Sequence, residues 1–359
     1  MSSSARAEGQ RLFAAFQAWG AVPVETPVLQ PAGTLLDLYG EDIRARAYVT
    51  HDPVQGEMML RPDFTVPVVQ AHMAHGAEPA RYCYLGEVFR QQQGGRASEY
   101  LQVGYEVFDR EQPLRADAEV FALFARMLQG RGLRAATGDF GILIAAVRGL
   151  PTSDTRKAAL MRHLWRPARF RALLDRYAGR APLPAGRAAL LARLAAGDPV
   201  ESPAPQIGLR SRAEVEARLA RLAEDAATPA IPGAVVEALD ALLRVADKAP
   251  AALVRMRALA GQLPWITPAL DLFEARLGVL AAHFVDVQSL DFEASYGRTT
   301  LEYYDGFVFG FYAEGRDLPP VASGGRYDAL TAVLGQGGSI PAVGGVIRPG
   351  LLVELGGRG

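Results

Sequence analysis

Cysteine occurs once in the 359 residues, at Cys83, which rules out a disulfide framework and any cysteine-based zinc site. Lysine is nearly as scarce. Lys157 and Lys248 stand alone, and no Gly-x-x-x-x-Gly-Lys-Ser/Thr phosphate loop is present. Neither charge is in excess: Lys+Arg 38 against Asp+Glu 39 gives a net charge of −1, so no overall basic field draws nucleic acid in. Long hydrophobic runs are missing as well. The longest aliphatic stretch, Ile142 to Val147, is far too short to cross a membrane, and the first residues lack the apolar core of a signal. These absences predict a cytoplasmic protein with no membrane partner. Gly-x-Ser-x-Gly and His-Glu-x-x-His are not found either. His72 and His75 lie three apart on an expected helix with no other ligand cluster near, so no metal is expected. Cys83, inside an apolar strand, reads as a buried, inert thiol.

Half of the residues are apolar and 21% are charged, enough for a packed core. Leu12, Phe13, Phe16 and Trp19 recur at helical spacing, and Gly20 ends that helix. Strands are expected at Glu57–Leu60, Arg81–Phe89, Glu99–Phe108 and Phe140–Ala146, with helices over Asp63–His75 and around Val120–Leu128. From Pro151 to about Leu263 the chain is Ala/Leu/Arg-rich and helical, without strand signals, and is broken by loops around Pro182–Pro184, Pro199–Pro205 and Pro229–Pro232. Strand-like sequence returns at Phe284–Phe292, Thr300–Tyr312 and Ala342–Ile347. The expectation is an α+β fold: a mixed, mainly antiparallel sheet flanked by helices, with core residues 1–150 and 264–359 and a helical insertion over 151–263.

Four segments carry polar residues inside strand-like sequence. Leu60-Arg61-Pro62-Asp63-Phe64-Thr65 precedes a helix that Asp63 could simply cap. Phe89-Arg90-Gln91-Gln92-Gln93-Gly94-Gly95-Arg96 is a polar hairpin tip. It leads into Gln102, Gly104 and Glu106, which share one strand face and line either solvent or a polar cavity. Leu301-Glu302-Tyr303-Tyr304-Asp305 enters a strand through paired tyrosines. In Ser323-Gly324-Gly325-Arg326-Tyr327-Asp328 the glycines permit a tight turn before a helix at Ala329–Leu334. Taken singly, each segment reads as structural.

In this order the four resemble the catalytic domain of histidyl-tRNA synthetase, a class II synthetase. Glu25-Thr26-Pro27 is similar to its dimer-forming first motif, and Arg81 to Arg90 to its second. Leu301-Glu302-Tyr303-Tyr304 and Gly324-Gly325-Arg326-Tyr327-Asp328 are similar to its two histidine-specific signatures. The resemblance implies a class II synthetase-like fold, a homodimer and a histidine site. Asp63 stands where the family binds the α-ammonium, with Thr65 and Gln102 beside it. Tyr304 and Glu106 stand where it grips the imidazole, with Arg90, Tyr303 and Tyr327 completing the expected histidine-binding set.

The departures from that family bear on function. Where its second motif reads Phe-Arg-His-Glu-Arg, this chain has Phe89-Arg90-Gln91-Gln92-Gln93. Thr299 replaces an arginine that activates the histidine carboxylate, although Arg298 is adjacent, and Leu351 replaces the arginine that packs on adenine. The chain stops at Gly359, without the anticodon-binding domain. Loss of one group that stabilises the transferring phosphate commonly costs about 3–4 kcal/mol in the transition state. This combination resembles the regulatory subunits of ATP phosphoribosyltransferase. That resemblance implies no catalytic residues, no cofactor and no tRNA partner. It implies instead a short-form ATP phosphoribosyltransferase catalytic subunit as partner and L-histidine as feedback ligand in histidine biosynthesis. Two rivals stay open: a residual histidine-activating enzyme using Arg90, Arg96 and Arg298, and a structural dimer with a vestigial pocket.

Overall fold

The computed structural model describes residues 2–33, 45–182, 185–197, 211–298 and 303–356. Twelve strands are formed among them. Three make a small antiparallel sheet in the order β2 (Leu29–Pro31), β4 (Gly56–Leu60), β3 (Val49–Asp52). The other nine form one sheet. Its order is β1 (Val22–Pro23), β5 (Ala80–Phe89), β6 (Glu99–Phe108), β12 (Ala342–Ile347), β11 (Ala322–Arg326), β10 (Phe307–Ala313), β7 (Leu133–Asp139), β9 (Asp291–Glu293), β8 (Ala246–Lys248). Only β1/β5 and β7/β9 are parallel pairs. This is the expected α+β architecture.

β5 and β6 pair along their whole lengths, from Ala80 opposite Phe108 to Phe89 opposite Glu99, around a hairpin tip where Gly94 and Gly95 both take positive φ. The helices Ser3–Ala18 and Pro113–Met127 pack on the sheet by apolar stripes: Leu12 and Phe16 from the first, Val120, Phe121 and Phe124 from the second. Full burial of each such side chain contributes about 1.5–3 kcal/mol.

Several expectations are corrected. Phe140–Arg148 is a helix, not a strand. Asp139 ends β7 and caps the helix by accepting a hydrogen bond from the Gly141 N–H at 2.8 Å, and Phe140, Leu143 and Val147 point into the core at helical spacing. A short all-apolar run carries no periodicity with which to choose between the two. In 284–292 the chain leaves the helix Thr267–Ala282 through Phe284 at φ 64° and becomes strand only at Asp291. The strand expected over Thr300–Tyr312 starts at Phe307, and residues 300–302 are outside the described residues. Gly324 and Gly325 lie inside β11, packed on Phe309 and Val308, and do not form a turn.

Region 151–263 carries six helices among the described residues, from Asp154–Arg162 to Ala249–Leu259. It also supplies β8, which pairs with β9 and extends the sheet. Ala-Asp-Lys, exposed along its length, carries no strand signal. Residues 183–184 of the loop expected around Pro182–Pro184, and the whole of that at 199–205, lie outside the described residues.

Candidate functional site: a two-ended polar cavity on the sheet

β6 has Glu106 opposite Tyr82 of β5 and Gly344 of β12. A side chain at Gly344 would drive its Cβ into the Glu106 carboxylate. One step along, Gly104 faces Tyr84, and the space a Cβ would need there is filled by the Tyr84 phenol. These two glycines let a carboxylate and a phenol lie together inside the sheet layer.

Glu106 is 1% exposed and accepts hydrogen bonds from three hydroxyls: Thr65 at 3.2 Å, Tyr84 at 2.8 Å and Tyr327 at 2.6 Å. Burial pushes its carboxyl up to about 7, against the pull of those three donors. A cavity of about 720 Å3 opens above this layer. Asp63, Thr65, Gln102, Tyr303 and Tyr304 are on its wall, as is Arg90 further round. Glu106 and Tyr327 lie behind the wall, joined to it through the hydroxyl of Thr65. The structure therefore brings six of the eight expected residues to one surface and sets two beneath it.

Asp63 lies just ahead of the helix Thr65–His75, and its Oδ1 accepts from the Thr65 N–H at 3.1 Å. The N-cap position is taken by Phe64, so Asp63 closes the turn ahead of the helix rather than capping it, and the same carboxylate has a place on the cavity wall. Gln102 is 1% exposed, and its Oε1 has no hydrogen-bond partner among the described residues. A buried amide oxygen left this way costs about 1–3 kcal/mol unless something donates to it. Tyr303 and Tyr304 meet edge to face at 4.7 Å. A carboxylate, an amide oxygen and phenols on one wall suit a ligand with an ammonium group and ring N–H donors.

Beside these groups the wall is basic. Arg46, Arg90, Arg96 and Arg348 reach the wall. Arg90 donates Nε–H to the Tyr100 hydroxyl at 2.6 Å, and Arg96 is paired with Glu354 at 2.7 Å. Arg348, which sequence reasoning missed, joins this group because β12 ends beside the hairpin tip. A polar residue between Ile347 and Pro349 was the only signal for it. Leu351, 6% exposed, lines a neighbouring cavity of about 300 Å3 with Tyr100 and Arg348.

Arg298 is elsewhere, contrary to the reading that grouped it with Arg90 and Arg96. It donates Nε–H to the Leu164 carbonyl at 2.8 Å, with its guanidinium 5.1 Å from the Phe170 ring centre, off the cavity wall. Thr299 lies outside the described residues. His72 is buried, stacked on Phe108 at 4.0 Å and within 3.1 Å of the Tyr82 hydroxyl, and burial lowers its pKa. The side chain of His75 is outside the described residues. Burial pushes the Cys83 thiol up to about 11.

Comparison with known proteins supplies the family. The family model described as histidyl-tRNA synthetase matches residues 2–224 and 209–349. Among solved structures, an ATP phosphoribosyltransferase regulatory subunit/histidyl-tRNA synthetase from Bacillus halodurans C has a TM-score of 0.69 at 22% identity, covering 98% of this chain and 79% of that one. Histidyl-tRNA synthetase from a Nostoc species has a TM-score of 0.63 at 18% identity, covering 98% and 72%. Fold and motifs together define a protein of the histidyl-tRNA synthetase class. Within that class, proteins from Rhizobium etli (36% identical, 93% of each chain) and Allorhizobium ampelinum (35%, 92% of each) are named ATP phosphoribosyltransferase regulatory subunit. The chain belongs to the family of ATP phosphoribosyltransferase regulatory subunits.

Proposed function

We propose that this protein is the non-catalytic regulatory subunit of ATP phosphoribosyltransferase, required for the first step of histidine biosynthesis. It assembles with the short-form catalytic subunit and binds L-histidine in the cavity above Glu106. One observation carries the reading: the acidic, amide-lined end of the cavity is kept, while Arg298 is turned away and Leu351 occupies the position expected to hold adenine. An amino acid can be held there. Adenylation would lack the two arginines that the resemblance places at Thr299 and Leu351, and the chain is expected not to charge tRNA. Residues 1–150 and 264–359 form the synthetase-like core, with 151–263 inserted.

The protein is also a homodimer on this reading. Val22, Val28 and Leu29 are exposed around Glu25-Thr26-Pro27, and Tyr48 and Val49 extend that apolar surface. Such a two-fold contact is isologous, and light scattering at micromolar concentration should give a dimer. A cytoplasmic location belongs to the same proposal; among the described residues no helix is long and apolar enough to cross a membrane.

The test is reconstitution with the short catalytic subunit. Phosphoribosyl transfer should be weak without this chain, restored with it and inhibited by histidine. Restored activity that histidine leaves unchanged would favour the second reading, a structural dimer with a vestigial pocket. The observation on that side is Glu106, whose oxygens already accept from three hydroxyls of the protein itself.

A further inference from the structure

The basic end of the cavity holds arginines in an unusual state. Four arginines share the wall with two aspartates, Asp63 and Asp317. Arg96 has its own partner in Glu354. Arg90 and Arg348 make no ion pair among the described residues. Arg90 donates to a phenol, and Arg348 donates one Nη1–H to the Pro320 carbonyl at 3.0 Å while its Nε has no partner. Both guanidinium groups lie against the same ring: Cζ of Arg90 is 5.9 Å and Cζ of Arg348 5.8 Å from the centre of Tyr100. Burial, with Arg90 and Arg96 close by, pulls the Arg348 group down to about 10. Asp63 lies within electrostatic reach of Arg90, whereas Arg348 has Arg90 and Arg96 near it and, among the described residues, donates only to a neutral carbonyl, so its charge is poorly offset.

The backbone holds Arg348 in place. Its N–H donates to the Val321 carbonyl at 2.9 Å, and Pro349 begins the next helix with φ fixed by its ring. A side chain anchored at the junction of a strand and a helix does not easily swing out to water. Both Arg90 and Arg348 have free N–H groups of planar geometry, which match an oxyanion in paired hydrogen bonds.

We propose that Arg348, with Arg90 across Tyr100, is an oxyanion receptor that fixes the negative end of the cavity's ligand. It rests on the reading above in one respect: if an amino acid lies with its ammonium toward Asp63, its carboxylate is the oxyanion. A free phosphate group would satisfy the same chemistry. Arg348 is thus the specificity residue for the carboxylate. It lies outside every segment that the sequence singled out for the ligand.

The experiment is equilibrium titration of the full chain and of Arg348→Met and Arg348→Lys with three probes: L-histidine, histidinol (the amino alcohol that lacks the carboxylate) and inorganic phosphate. Thermal melts establish that each variant is folded, and Arg348→Lys keeps the charge should the Met variant fail to fold. If the carboxylate is the oxyanion, histidine binds Arg348→Met at least tenfold more weakly than wild type, Arg348→Lys falls between, and histidinol binds all three alike. Phosphate bound by wild type and lost in Arg348→Met, with histidine unaffected, assigns the receptor to a free phosphate. Wild type that binds phosphate through Arg348 but no histidine would keep the receptor and remove the amino-acid reading of the cavity. Equal affinities of folded Arg348→Met and wild type for all three probes would overturn the proposal.

Discussion

Two clusters of buried charge sit on the same nine-stranded sheet, and they are solved in opposite ways. Beneath the sheet, Arg276 is 1% exposed and binds Asp117 at 2.8 Å and Asp139, while Arg326 binds Asp117 at 2.7 Å and Asp328 at 3.0 Å. Every guanidinium there meets a carboxylate. On the cavity face, Arg90 and Arg348 meet a phenol and a carbonyl, and Gln102 points an unpartnered oxygen inward. The desolvation of a charge is offset in the first cluster by internal counter-charge, and in the second it is left for something outside the chain to offset. The first cluster pins the helices Pro113–Met127 and Thr267–Ala282 to the ends of β7 and β11. The second is shaped to bind.

The largest effect follows from breaking the closed cluster. Asp117→Ala removes the carboxylate shared by Arg276 and Arg326 and leaves part of each guanidinium buried without an anion. Stability should fall by about 3–5 kcal/mol, read as a lower urea midpoint with an unchanged slope. A loss below about 1 kcal/mol would mean that water or Asp139 and Asp328 already satisfy both arginines, and the contrast would fail.

Asp63→Asn makes the same kind of change at the open cluster. The amide keeps an oxygen for the Thr65 N–H, so the helix end is preserved while the charge facing the ligand goes. A hydrogen bond to a charged group is worth about 1.5–3 kcal/mol, which predicts histidine affinity down by about tenfold or more with the melting temperature little moved. Unchanged affinity in calorimetry would place the ammonium elsewhere.

Glu106 links the two patterns, because it is buried like the first cluster but satisfied by neutral hydroxyls. Its pKa is raised from 4.5 to about 7 in the folded protein. The native state therefore keeps a proton that the unfolded chain releases between those values. The stability this proton confers is complete below about pH 4.5 and is lost as pH rises through about 7, with a slope near 1.4 kcal/mol per pH unit at most. Asp305, pushed up to about 6 by burial first and by Asp328 next, adds a slope of the same sign. Glu106→Gln should flatten the part that persists above pH 6, measured as urea midpoints from pH 5 to 8. A variant as pH-dependent as wild type would assign that slope to other groups.

How much of this was legible depends on how local the signal was. β6 and β12 are readable because strand formers recur over six residues or more, and Asp63 and Gln102 because polar groups interrupt apolar sequence there. Glu106 was read as a ligand contact. Its place behind the wall is set by Tyr84 filling the space over Gly104, a cross-strand fact that no single segment contains. Arg348 was invisible for the same reason. It is 248 residues from Tyr100, and only the pairing of β12 with β6 brings that end of the chain to the hairpin. β8 could not be read at all, since three exposed residues are strand only because β9 is beside them.

The smallest effect belongs to Arg298, which decides whether an unpaired buried guanidinium is enough to mark a binding site. Arg298 is buried where Arg348 is half-buried, but like Arg348 it has a nitrogen without a hydrogen-bond partner among the described residues and a pKa lowered by burial. Unlike Arg348 it faces a helical segment, held by the Leu164 carbonyl and the Phe170 ring. Position relative to the cavity is the one difference that matters to a ligand. Arg298→Leu loses a hydrogen bond and a ring contact, together about 1–2 kcal/mol, and regains part of that by no longer burying a charge. Stability should move by about 1 kcal/mol or less, and histidine affinity should stay within about twofold of wild type by the same titration. A tenfold loss of affinity in a folded Arg298→Leu variant would put Arg298 in the site, restore its grouping with Arg90 and Arg96, and reopen the case for residual histidine activation.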